Sequence, residues 1–148
     1  MQHTETDTAR VVLESLTEGR LTIAIPRTNY SLDLVDTNPA ARSMLSSRIG
    51  RHINGVVHAR ALKMNRATGG GVFIEPVNGH PRSVQGRVLA TDTVNNKILA
   101  HVVIPMWITV PAGQAAADFS TGELLNFYVE SGTSFVSASA SASALASA

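Results

Sequence analysis

Seven side chains between positions 60 and 97 are the ones best equipped to do chemistry: Arg60, Lys63, Arg66, Arg82, Gln85, Arg87 and Lys97. They are six cations and one amide, so the chemistry they offer is recognition of phosphates or other anionic groups. From Arg42 to His101 the chain carries nine basic residues against two acidic ones, Glu75 and Asp92, a balance of +7. The three basic and nine acidic residues outside that span balance to −6. A positive middle between negative ends attracts an anionic partner. The competing outcome is that the ends fold back and neutralise the middle. Nucleic acid is the obvious polyanion, but the segment is poor in aromatics, with Phe73 alone between Arg42 and His101. Sequence-tolerant binding of single strands uses exposed rings as stacking platforms.

Other chemistries find less support. Gly69-Gly70-Gly71 beside Arg66 invites comparison with a phosphate loop, yet no Lys-Ser/Thr follows and Val72-Phe73-Ile74 reads as a strand. The spacing of a dinucleotide-binding turn is also missing. The glycines therefore read as a corner between antiparallel strands, with a backbone anion nest as the alternative. His52 and His58 share a face of one strand but stand ~20 Å apart, too far to chelate one ion. His3, His80 and His101 have no ligand-like spacing either. Cysteine is absent, which removes thiolate chemistry and disulfides. Asp33 and Asp36 flank a turn, and Asp36 is expected to order it. No nucleophile motif is present, and neither a metal, a cofactor nor catalysis is expected.

Elements must position these cations. Ala9, Val12, Leu13 and Leu16 recur at helical spacing, so residues 8–18 are expected to form a short helix closed by Gly19. Alternation then predicts a hairpin, Leu21 to Ile25 and Tyr30 to Leu34, turning at Pro26-Arg27-Thr28-Asn29. Asn38-Pro39 opens a second helix near 39–48. A β meander follows, with strands at Ile53–Met64, Val72–Val77, Arg82–Ala90 and Lys97–Ile104. Asn78-Gly79 is expected to be a tight hairpin turn, and Thr93-Val94-Asn95-Asn96 another. Gln85 and Arg87 should point outward together, and Arg60, Arg87 and Lys97 would form one stripe if their strands are neighbours. Residues 114–130 fit a C-terminal helix, with a strand at Leu124–Val129 as the alternative.

At 148 residues, 44% hydrophobic and 16% charged, the chain fits a single domain. The expected fold is mainly β: a small, closed or partly open antiparallel barrel, OB-like or SH3-like, of about six strands over residues 1–136. Residues 137–148 are a Ser/Ala repeat expected to be disordered. No apolar run reaches the ~20 residues of a spanning helix, and the first residues are acidic where a signal peptide is basic. A soluble, cytoplasmic protein is the default expectation. The leading functional expectation is a non-catalytic β module that contacts a polyanion such as nucleic acid. One alternative is a self-associating or partner-binding structural domain using Leu99, Val103 and Leu124–Tyr128, and homo-oligomers go with it. A small-molecule-binding barrel or enzyme is the third.

Overall fold

The computed structural model describes residues 7–137. In chain order the strands are β1 (Ala9–Thr17), β2 (Arg20–Ala24), β3 (Ser31–Asp36), β4 (His52–Arg66), β5 (Phe73–Glu75) and β6 (Asn78–Gly79). They continue as β7 (Ser83–Asp92), β8 (Lys97–Val102), β9 (Ile104–Thr109), β10 (Leu124–Val129) and β11 (Ser134–Ser137). A 3-10 turn at Pro39–Ala41 runs into the short helix α1 (Arg42–Ser46), close to the expected position, and a second 3-10 turn spans Ala116–Asp118.

All eleven strands belong to one sheet, ordered β1-β2-β3-β11-β4-β10-β7-β8-β9, which curls into a partial ring. The 15-residue β4 organises it. Its first part pairs with β1, its middle with β11 and β9, and its last part with β10. Two sets of pairings thus return to the same strand. The sheet is mixed, because β11 and β6 run parallel to β3 and β9 runs parallel to β4. The expectation of about six antiparallel strands is corrected on both counts.

Residues 8–18 form no helix beyond a single turn residue at Asp7. Ala9, Val11 and Leu13 are buried at a period of two, and Gly19, at φ +74°, turns the chain into β2. The helical stripe was genuine, but the same apolar residues also satisfy a strand. Pairing with β2 and β4 decides in favour of the strand, and β-branched Val11-Val12 accept it readily. Likewise 124–129 is strand, with Leu125, Phe127 and Val129 buried and Asn126 and Tyr128 turned away. Gln114 does not start a helix. Its side-chain amide accepts from the Met64 N–H and donates to the Met64 carbonyl, both at 2.9 Å, docking the loop onto β4.

Two turns also differ from expectation. The apolar run at 97–104 breaks at Val103, whose φ of +65° is costly for a β-branched residue. That bend lets Val102 face Ile104 and brings β8 and β9 together as neighbours. Asn78-Gly79 is no hairpin turn: it pairs as β6 with Ser31-Leu32, while β5 and β7 pair across the longer loop 76–82. The 93–96 turn is as expected, and Ser137, read as tail, closes β11 against Gly55. Residues 138–148 lie outside the described residues. Among the described residues no helix is long and apolar enough to cross a membrane.

Asp36 orders its turn as expected. One carboxylate oxygen accepts the Asn38 N–H at 3.1 Å and the other pairs with Arg42 at 2.9 Å. Arg42 also donates to the Thr17 carbonyl, fastening α1 to the β1–β2 hairpin.

Candidate functional site: a cationic cleft beside the long strand

Register decides which of the seven candidates meet. On β9, Thr109 faces Arg60 of β4 on one side and Lys97 of β8 on the other. Residues paired across adjacent strands share a face, so Arg60, Thr109 and Lys97 form one row. Their Cα atoms span two strand spacings, ~10 Å, within which two long cationic side chains can address one ligand. The row lines a cleft of about 400 Å³, completed by His58, Ala59, Glu130, Ser131, Gly132 and Ser134. The wall at 130–134 is the crossing between β10 and β11, held where the Glu130 N–H donates to the Arg60 carbonyl at 2.8 Å.

Lys97 is placed by the turn before it. Asp92 accepts from the backbone N–H of Asn95 at 3.1 Å and from its side-chain amide at 2.8 Å. These bonds hold the Asp92 carboxyl below its ordinary pKa and fix the exit into β8. Arg60 sits mid-strand, exposed. The two ion pairs among the described residues are Arg42–Asp36 and Arg66–Glu123, so Arg60 and Lys97 belong to neither.

His58 stands two residues before Arg60 on the same face, opposite Trp107. Trp107 in turn donates its indole N–H to Asp7 at 2.8 Å. Burial, then the charge of Lys97, lowers the His58 pKa, while Asp7 partly opposes the shift. An NMR titration of the His58 ring is expected to show a midpoint below the ordinary 6.5. A midpoint at or above that value would contradict the arrangement. The unfolded chain binds this proton more readily, so the His58 contribution to stability is intact above the unfolded-state pKa. It is lost progressively as pH falls from that value to the folded one. An anion in the cleft should raise the folded midpoint, because it favours the imidazolium.

The other candidates are placed elsewhere. Arg66 clamps the loop before β10, pairing with Glu123 at 2.6 Å, donating to the Asp118 carbonyl and lying over the Phe119 ring at 5.1 Å. Gln85 does lie on the same face as Arg87, but the glycine loop covers it, so its expected exposure is corrected. Its amide donates to the Gly69 and Gly71 carbonyls at 3.1 and 2.8 Å and accepts from Asn126 at 2.9 Å. The three glycines are thus a strand corner pinned from beneath, and Arg66 is turned to Glu123. Arg87 donates to the Gly122 carbonyl at 3.0 Å and faces His101, which is four residues along β8 from Lys97. The expected Arg60–Arg87–Lys97 stripe therefore keeps two of its members. Lys63 and Arg82 are exposed near the cleft, with Arg82 lining an adjoining groove.

Leu99 is fully buried and Val103 packs partly against the core, so the apolar outer face expected for self-association is not there. The sequence offered no signal for the 130–134 wall, because its position depends on β11 inserting between β3 and β4. Among the described residues no group of three or more His, Asp or Glu side chains is placed to hold a metal ion. Compared with protein-family models, curated proteins and solved structures, the chain matches none of them.

Proposed function

We propose that this protein is a non-catalytic small β-barrel module that binds a polyanion in the cleft beside β4. The barrel reading is supported by pairings that return to β4 from both sides. The observation that carries the functional reading is the in-register row Arg60–Thr109–Lys97, open to solvent, with His58 beside it and no ion pair consuming either cation. The Ser131 and Ser134 hydroxyls and the Gly132 backbone add neutral hydrogen-bonding capacity on the opposite wall. Glu130, also in the wall, works against indiscriminate anion binding and favours ligands whose charges are spaced along a chain.

Inorganic polyphosphate tests this directly. At ~50 mM salt the full chain is expected to bind it in the micromolar range, with affinity falling steeply as salt is added. Replacing Arg60 and Lys97 together by alanine should weaken binding and lower the salt slope by about one unit per lost cation. Arg87→Ala, away from the row, should leave the slope unchanged. No binding at low salt, or binding indifferent to salt, would overturn the proposal.

A further inference from the structure

The chain has two tyrosines, and they are treated differently. Tyr30 packs against the core and its hydroxyl accepts the Ile74 N–H at 3.1 Å. Tyr128 is 65% exposed, and no hydrogen bond holds its hydroxyl among the described residues. Its neighbours Phe127 and Val129 point inward, so strand alternation sends the Tyr128 ring out.

What surrounds that ring comes from an irregularity in pairing. Phe127 faces Met64 and Val129 faces Ala61, so Leu62 and Lys63 together oppose Tyr128. A bulge of this kind re-aims side chains, and here it leaves both Leu62 and Lys63 exposed. On its other flank Tyr128 faces Ser83, next to Arg82. Tyr128, Leu62, His80, Arg82 and Ser131 line a groove of about 550 Å³. Ser131 also lines the Arg60–Lys97 cleft, so the two concavities adjoin. An exposed aromatic ring with an aliphatic neighbour is therefore set among Arg60, Lys63 and Arg82. That combination suits a ligand that carries planar apolar groups between anionic ones.

We propose that the groove is a nucleobase site and that the polyanion is a single-stranded nucleic acid. One base stacks on Tyr128, while phosphates on either side meet Lys63 and Arg82 and, beyond Ser131, the Arg60–Lys97 row. This inference rests on the polyanion reading and narrows it. Stacking requires an unpaired base, which excludes an intact duplex at this position, and every base offers a π-face, so recognition is tolerant of sequence. The cations continue beyond the ring into the neighbouring cleft, which favours a strand over a free nucleotide.

The test compares three probes on the full chain: a ten-residue oligouridine, uridine monophosphate and inorganic polyphosphate. Tyr128→Ala removes an exposed ring and is expected to weaken oligouridine binding about tenfold while leaving polyphosphate binding unchanged. Tyr128→Phe should retain oligouridine binding, because stacking uses the ring and not the hydroxyl. Uridine monophosphate should bind far more weakly than the oligomer. Equal losses for oligouridine and polyphosphate, or no loss for either, would overturn the nucleobase site and leave the polyanion reading standing. A mononucleotide binding as tightly as the oligomer would overturn the strand. Absence of binding to all three probes would remove both readings.

Discussion

Phe135→Ala is expected to lower the free energy of unfolding by about 3–5 kcal/mol, read from urea denaturation monitored by far-UV circular dichroism. Phe135 is completely buried on β11, the strand that joins β3 to β4 in the sheet. Its ring lies against Gly55 of β4, where an added Cβ would overlap the ring and crowd the Val136 carbonyl oxygen. Truncating the ring leaves a cavity that β3 and β4 cannot close without giving up their pairings. The reciprocal change, Gly55→Ala, is expected to cost about 1–3 kcal/mol by overpacking. Placed together, the two should cost less than their sum, because alanine at 135 makes room for part of the new methyl group. Strict additivity would show that the ring and the glycine do not meet. Both changes lie next to the 130–134 wall, so they should also weaken anion binding under conditions where the protein remains folded.

The second large effect is expected at Asp36. Its side chain is 2% exposed while its partner Arg42 is 32% exposed. Removing one member of a fully buried pair costs about 3–5 kcal/mol. Partial hydration of Arg42 should reduce the loss for Asp36→Ala to about 2–3 kcal/mol. Asp36→Asn should be milder, since its side-chain oxygen still accepts from the Asn38 N–H. The readout is again the denaturation midpoint, and added salt should change the loss little, because the carboxylate is shielded from solvent. A loss that disappears in high salt would mean the pair is looser than its geometry indicates.

Several elements could be read from the sequence because their signals are local. The β2–β3 alternation, the Asn38-Pro39 entry to α1 and the 93–96 turn depend on neighbouring residues, and each lies where expected. Asp36 as the organiser of its turn belongs with them. Segments with two valid patterns were not decidable in this way. Ala9 to Leu16 satisfies both a helical and a strand period, and Gly19 serves a hairpin as well as a helix end. The outcome was set by β2 and β4, which offer ladder partners to one form and not the other.

The candidate site shows the same division. Its cations were legible as a class, since nine basic residues against two acidic ones is a property of composition. Their grouping was not legible. Arg66 and Gln85 look like surface residues in the sequence, and only the loop folded over each gives it a structural task. His58 joined the row and Arg87 left it because β9 lies parallel to β4, a pairing between segments some fifty residues apart. Tyr128 was visible in the sequence, but its exposure among cations depends on a bulge in β4.

By itself, then, the sequence determined a β-rich chain, the identity of its turns and an excess of positive charge in its middle, because each follows from nearest neighbours or from simple counting. Tertiary structure alone decided that Arg60 and Lys97 share a cleft, that Gln85 serves the glycine loop and that Tyr128 faces outward. Those outcomes follow from register between distant strands, where a shift of one residue would send every side chain to the opposite face.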